Sequence, residues 1–401
     1  MDDFGGFVIN VSSYDGRSME ELLANLRPDR VPAAMGGAIL DASYAATEPD
    51  LIARLHQLNL PILIDPQSLR FAHPRFLATR ALTELPYAPP AALESDISRA
   101  DIQRLVLGAL KFQDRFAPAM YVVPALPFDK PLGVGAEIYR RIHETAAEFN
   151  GSEVRRRPLL AIAPPGTQVL RSPYALLGRL ANLGYSAIYM QPLEFDPRRD
   201  SVERLASYIT FMRCAAEYEL PVFAGRVGAF GLPLLALGAH AFDSGLMQRE
   251  GFSLSSLQRT PSAKSKKSGG GRRRSVYFPL FMMSIPASDA RRLLRTRSLK
   301  SRFVCNLGKC RFDHQAQWEE AKSHFMHSRI HEVNSIKNAP TQEMKLETVA
   351  RLLVSGIEHA DASNRVLEAA GVPTIKAEHL RRWLAVLQRV AGRRHGWKLA
   401  S

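Results

Sequence analysis

The run Gly225-Arg-Val-Gly228-Ala-Phe-Gly-Leu-Pro-Leu-Leu-Ala-Leu-Gly238-Ala-His-Ala-Phe242-Asp243-Ser-Gly-Leu246-Met-Gln-Arg249 decides how this chain is read. It holds a strand end, a glycine loop, an apolar helix, another glycine and a short apolar strand closing on an acid. In that order these are two consecutive units of a parallel β/α architecture. Asp243 directly follows Phe242, so a carboxylate stands at a strand C-terminus, where β/α barrels keep their chemistry. Arg249, six residues on, is placed to bind a phosphate or that acid.

Outward from this run the same alternation repeats. Short apolar, β-branched segments at Phe7 to Val11, Pro61 to Asp65, Ala119 to Val123, Pro158 to Ala163, Tyr185 to Met190, Leu220 to Ala224, Ala239 to Phe242 and Val276 to Phe281 read as buried strands. Between them, stretches such as Asp50 to Leu58, Ala136 to Phe149, Ser172 to Leu183 and Val202 to Glu219 carry apolar residues three and four apart, the helical period. No Gly-x-Gly-x-x-Gly follows the first strand, so an α/β class (β/α)8 barrel of the TIM type is expected over residues 1–300 rather than an open doubly wound sheet. The loops after the strands then deserve inspection: Asp65, Asp129, Pro164 to Gly166, Gln191 and Asp243. Asp65, in Leu63-Ile-Asp-Pro-Gln-Ser68, ends its strand as Asp243 ends another. Two such acids can divide labour, one attacking an anomeric carbon and the other moving protons. Taken singly, either is as readily a helix cap or a loop hydrogen-bond acceptor.

Hydrophobic residues make up 46% of the 401 and charged residues 23%, ordinary for a folded chain, which excludes a disordered or collagen-like one. No apolar run reaches the roughly 18 residues a bilayer demands, and Met1-Asp2-Asp3 lacks a signal peptide's basic region, so no membrane association and a cytoplasmic location are expected. Charge is concentrated. Arg259 to Arg302 holds thirteen Lys or Arg against the single acid Asp289, a net +12 out of the chain's +14. Within it, the Ser/Gly tract at 259–275 reads as a flexible basic insertion, and Lys264, Lys266, Lys267, Arg272, Arg273 and Arg274 as contacts for a nucleic-acid backbone. A solvated loop that only aids solubility is the plain alternative.

Three cysteines cannot make a disulfide framework. Cys214 sits in an amphipathic helix as a core residue. Cys305 and Cys310, followed by His327 and His331, have zinc spacing, since thiolates on a short knuckle and i,i+4 imidazoles can close one tetrahedron around Zn2+. His314 and His324 are rival ligands, and a small core with exposed histidines is the alternative. A zinc-binding subdomain is expected at 301–340, and a helical basic C-terminal segment at 341–401, with helical periodicity in Leu346 to His359 and His379 to Val390.

These residues resemble one family, the tRNA-guanine (queuine) transglycosylases and their relatives that insert 7-deazaguanines into DNA. Leu237 to Arg249 looks like the family's Gly-x-Asp-x-Phe-Asp segment with its following Leu-x-x-Arg. Cys305 and Cys310 are spaced like the outer cysteines of its Cys-x-Cys-x-x-Cys zinc cluster, with Leu307 at the middle one. Ser323-His-Phe-Met-His327 is similar to its Ala-Tyr-x-x-His helix, and Ile64-Asp65-Pro-Gln-Ser68 takes the place of its Asp-Ser-Gly-Gly strand end. The likeness spans about residues 60 to 335. It implies a base-exchange transferase in which Asp243 is the nucleophile and Asp65 the general acid/base, with guanine replaced by a 7-deazaguanine-type base. Gly166, Gln191, Gly225, Gly228 and Arg249 would lie around the substrate. The family's base-binding Asp is represented by Pro124-Ala-Leu-Pro127, with Asp129 as a substitute. The partners implied are tRNA or DNA and a purine or 7-deazapurine base, with a homodimer or partner subunit left open. Two other readings stand beside it. One is a non-catalytic nucleic-acid-binding subunit on the same scaffold; the other is an unrelated barrel enzyme using Gly225 to Gly228 as a phosphate loop.

Overall fold

The computed structural model describes residues 4–11, 16–24, 26–127, 134–153, 157–163, 166–245, 275–296, 298–299, 305, 321–369, 371 and 374–391. Eight strands form one sheet: β1 (Gly6–Val11), β2 (Met35–Asp41), β3 (Ile62–Asp65), β4 (Tyr121–Val123), β5 (Leu159–Ala163), β6 (Ala187–Met190), β7 (Val222–Ala224) and β8 (Ala241–Gly245). Their order is β3-β2-β1-β8-β7-β6-β5-β4, every neighbouring pair parallel. The outer strands β3 and β4 meet where Ala119 N–H donates to the Ile62 carbonyl at 3.0 Å. Buried Ser68 extends that seam, its Oγ donating to the Ala125 carbonyl (2.7 Å) and accepting from the Ala125 N–H (2.9 Å). The sheet therefore curls into a nearly closed barrel of the TIM type.

Among the described residues one principal helix separates each consecutive pair of strands, accompanied in places by shorter helical turns: α1 (Gly16–Ala24), α2 (Pro49–Gln57), α3 (Arg99–Asp114), α4 (Val134–Ser152), α5 (Tyr174–Asn182), α6 (Val202–Glu217) and α7 (Gly231–Ala236). Ser98 and Ser201 cap α3 and α6, each hydroxyl accepting an N–H from three residues on. Beyond β8 come a hairpin, β9 (Ser275–Phe278) and β10 (Met283–Pro286), then α8 (Ala287–Arg295), α9 (Ala321–Lys337), α10 (Gln342–Ala369) and α11 (Glu378–Ala391).

The barrel differs from the sequence reading in one strand. Val276 to Phe281, counted there among the eight, lies in the β9–β10 hairpin, whereas Met35–Asp41, not recognised, is β2. Gly36-Gly37 looks like a turn, but both residues serve backbone approach. A Cβ on Gly36 would come within 2.5 Å of the Phe4 carbonyl oxygen. Gly37 has φ +139°, and its Cβ would meet the Pro61 oxygen at 2.5 Å. The ladder skips Gly36, pairing Phe7 with Met35 and Val8 with Gly37, so the glycines mark a bulge inside a strand.

The segments after β8 complete the outer layer. Helix α9, expected within a separate zinc subdomain, lies on β1 in the position of an eighth barrel helix, with Phe325 5.2 Å from the Tyr277 ring and 6.5 Å from Phe7. Lys337 Nζ ties its end to the Gly5 and Ala33 carbonyls, at 3.0 Å each. Helix α10 packs on α7 and α11 on α6, where buried Trp383 donates to the Pro197 carbonyl at 2.7 Å.

Inside the barrel, Val8, Ile39, Leu63, Tyr189, Phe223 and Ala241 belong to one apolar cluster. Burying a large apolar side chain contributes about 1.5–3 kcal/mol, so this plug anchors the strands. Two residues further along each of those strands, the inward positions are Asn10, Asp41, Asp65, Gln191, Gly225 and Asp243. The interior changes from apolar to polar at its C-terminal end.

Candidate active site

Asp243 is 2% exposed and fully hydrogen-bonded. Its Oδ2 accepts from Asn10 Nδ2 at 2.7 Å and from the Tyr189 hydroxyl at 3.0 Å, while Oδ1 accepts from the Arg226 backbone N–H. Strands β1 and β6 and the loop after β7 thus aim donors at one carboxylate carried by β8. Burial raises the Asp243 carboxyl above its ordinary range, and the Arg226 N–H and charge, Asn10 and Tyr189 pull it back. The Tyr189 phenol is pushed up by burial and by the Asp243 charge, so it stays a neutral donor.

Asp65, 5% exposed, accepts the Gln67 N–H on Oδ1 at 2.7 Å, and its Oδ2 lies 3.5 Å from the Arg226 guanidinium. Arg226 therefore touches both acids, one through its main chain and the other through its side chain. Burial raises Asp65 as well; the Arg226 charge opposes this and the Asp41 charge adds to it. Backbone geometry is unusual here. Gln67 and Arg226, the residues that reach the two acids from the loops after β3 and β7, have φ of +56° and +57°. A left-handed non-glycine residue costs about 1–2 kcal/mol, and such strain gathers at functional sites. Gln67 is held from its far end too, its Oε1 accepting the Ser43 N–H at 3.0 Å.

Of the residues expected from sequence, Asp65, Asp243, Gln191 and Gly225 come together. Gln191 is buried after β6 and bears on the Tyr189 hydroxyl. Gly225 is a glycine because a Cβ would stand 2.7 Å from Gln191 Cγ and 2.9 Å from Tyr189 Cε2. Gly225→Ala should thus push the tyrosine off Asp243 and lower stability by about 1–3 kcal/mol, as overpacking does. Urea unfolding checks this, and a variant as stable as the parent would show that the ring gives way freely. Gly166 opens the short helix after β5, and Gly228 (φ +57°) shapes the turn after β7; both lie at the same end of the barrel. Arg249, Asp129, Lys264, Lys266, Lys267, Arg272, Arg273 and Arg274 lie outside the described residues.

Of the metal ligands expected from sequence, His327 and His331 lie on the outer helix α9. His327 and His331 stand one turn apart on α9, half-buried and exposed, beside Met19, Met35 and Met326 in a cavity of about 360 Å³. Two accessible i,i+4 imidazoles fit one half of a tetrahedral zinc site. Cys305 is half-buried, and Cys310 lies outside the described residues. Among the described residues no three His, Cys, Asp or Glu side chains form a metal cluster. His324, a rival ligand, is buried, with Nε2 2.9 Å from the Tyr277 carbonyl.

Sequence reasoning missed Asn10, Asp41, Tyr189 and Arg226. A signal existed for Asn10 and Tyr189: each is a polar group at an inward position of an otherwise apolar strand. Arg226 was in plain view between Gly225 and Gly228, yet its link to Asp65 joins residues far apart in the chain.

No family model matches the chain, and neither does any curated protein. Among solved structures, native xylanase 10B from Thermotoga maritima aligns with TM-score 0.37 at 8% identity, over 60% of this chain and 83% of its own. The deoxyribose phosphate aldolase from Aeropyrum pernix gives 0.35 at 11%, over 67% and 93%. For dihydrodipicolinate synthase from Oceanobacillus iheyensis the figures are 0.32 and 11%, over 97% and 98%. Likeness this distant carries no argument about activity, and the barrel rests on its own strand order.

Proposed function

We propose that this chain is a nucleic-acid base-exchange enzyme of the transglycosylase kind, replacing guanine by a 7-deazaguanine-type base. The observation that carries the proposal is the joining of Asp65 and Asp243 through Arg226 in one buried polar cluster at the C-terminal end of the barrel. Asp243 is the nucleophile. Its oxygen forms a bond to C1′ of the flipped-out nucleotide, the C1′–N bond breaks, and that electron pair leaves with the base. Asp65, which burial and Asp41 bias toward its protonated form, gives a proton to the departing nitrogen. The incoming base then surrenders a proton to Asp65 while its nitrogen takes C1′ and returns the electron pair to Asp243. Two displacements retain the sugar configuration. Asn10, Tyr189 and the Arg226 N–H orient the nucleophile throughout.

Lys264, Lys266, Lys267 and Arg272 to Arg274 would hold the phosphodiester chain. Cys305, Cys310, His327 and His331 would hold one zinc, which braces α9 and supplies folding energy rather than chemistry. Elemental analysis should find about one zinc per chain, with chelation lowering the melting temperature. A folded, metal-free preparation indifferent to chelators would remove the zinc from this proposal.

Exchange of labelled guanine into tRNA and into duplex or single-stranded DNA tests the reaction, with nucleic-acid retention measured as salt rises. Exchange, with retention falling steeply between low and physiological salt, is expected. Salt-sensitive retention without exchange would assign the non-catalytic binding role, and loss of both would overturn nucleic acid as the partner.

A further inference from the structure

We propose that helix α8 is a docking face for a nucleic-acid backbone, with Arg291, Arg292 and Arg295 standing together on its outer side to pair with phosphates. The proposal rests on nucleic acid being the partner of this chain, but not on base exchange.

At about 3.6 residues per turn, Ser288, Arg291, Arg292 and Arg295 fall within about 100° of arc, and all four are exposed. Ala290 and Leu293, on the opposite side, are buried where α8 packs on the β9–β10 hairpin. The one acid of the helix, Asp289, is half-buried on the flank and accepts the Ser288 hydroxyl at 3.4 Å. Among the described residues no ion pair engages Arg292 or Arg295. The face is therefore a concentrated positive charge on an ordered element. What carries it is tied to the nucleophile's strand. The guanidinium of buried Arg329, on α9, lies 4.9 Å from the ring of Tyr277 in the hairpin, 5.3 Å from Phe325 and 5.8 Å from Phe242, the neighbour of Asp243. Glu332 closes the set, pairing with Arg329 at 3.1 Å and accepting the Tyr277 hydroxyl at 2.9 Å. Arginines on so fixed a mount meet phosphates without a cost for ordering their backbone. A basic amphipathic helix also suits an anionic membrane, but adsorption there needs its apolar side exposed, and the hairpin covers that side of α8. A phosphodiester chain needs only the charged side.

The test is the salt dependence of binding of a labelled DNA duplex and a labelled tRNA to the full chain. Each phosphate neutralised on a duplex adds about 0.9 to the slope of log affinity against log salt, so Arg291→Gln, Arg292→Gln and Arg295→Gln together should reduce that slope by about 2–3. Near about 0.1 M salt the duplex should bind about a hundredfold more weakly. Lysine at the same three positions keeps the charge and should keep the slope, whereas an effect on the helix itself would not be rescued. Arg351→Gln with Arg365→Gln, exposed on α10, should leave the slope unchanged. If the parent binds and the triple glutamine variant has the parent's slope, the proposal is overturned while nucleic acid remains the partner. An equal loss per charge in the α10 variant overturns it too, since attraction would then be spread over the whole surface. Loss of binding to phosphatidylserine vesicles with nucleic-acid binding intact would assign the face to a membrane instead. A reduced slope without any base exchange refutes the reaction and supports α8 as the docking face; a parent that binds neither probe overturns both.

Discussion

Asp243→Asn should abolish base exchange, lowering kcat/KM by about 10⁴-fold or more, while the protein still folds and retains nucleic acid. The amide cannot form the bond to C1′, so the covalent intermediate never appears; denaturing gels of enzyme quenched with labelled nucleic acid should show an adduct in the parent and none in the variant. Packing survives because the side chains are isosteric. Hydrogen bonding does not survive whole. Asn10 and Tyr189 donate to one oxygen and the Arg226 N–H to the other, so whichever way the amide turns, its NH2 faces a donor. That mismatch costs about 1–3 kcal/mol. Opposing it is relief from a buried ionised group. Burial raises the Asp243 carboxyl, so the native state binds its proton more tightly than the unfolded chain does, and this carboxylate withdraws stability as pH rises from the unfolded value through the folded one. The amide does not titrate, so the variant should compare worst with the parent near pH 4 and improve toward neutrality. Undiminished exchange in a folded Asp243→Asn protein would end the nucleophile assignment.

What the sequence disclosed follows from how local each signal is. Ile62–Asp65 and Ala241–Gly245 are short apolar strands that turn polar at their ends, and period-two patterning makes such acids visible without knowledge of the rest. Met35–Asp41 hid because Gly36 and Gly37 answer to carbonyls of Phe4 and Pro61, on other segments. With β2 unseen, Asp41 was unseen too. Arg226 was legible as a residue but not as a bridge, since its contact with Asp65 depends on a left-handed backbone after β7 and on barrel closure bringing β3 within reach. Helix α9 showed its histidines by their spacing. That it covers β1 as an outer barrel helix could not be read locally, because its partners are Phe7 and the hairpin residue Tyr277.

Arg226→Ala should cost about 3–5 kcal/mol of stability, the usual consequence of leaving a buried carboxylate without its counter-charge. The guanidinium is the cation in contact with Asp65, and both groups are under a tenth exposed, so water cannot take over the role. Two further variants separate the causes. Arg226→Gly loses the same guanidinium but relaxes φ +57°, so it should be about 1 kcal/mol more stable than the alanine variant. Arg226→Met combined with Asp65→Asn removes both charges and should recover most of the loss, because a neutral pair of similar volume no longer carries the desolvation cost. The pH dependence has a definite sign. Asp65 is raised by burial even beside Arg226, and without that charge it rises further. Its native form then binds protons more tightly than the unfolded chain, whose carboxyl ionises near about 3.9, so stability declines as pH climbs from there through the folded value. The deficit of Arg226→Ala should accordingly be small near pH 4, grow toward pH 7.5, and vanish from the pH dependence once Asp65 is an amide. Urea unfolding at both pH values measures all of this. A deficit equal at the two pH values, or undiminished in the double variant, would mean that Arg226 matters for packing alone and that Asp65 finds its counter-charge elsewhere.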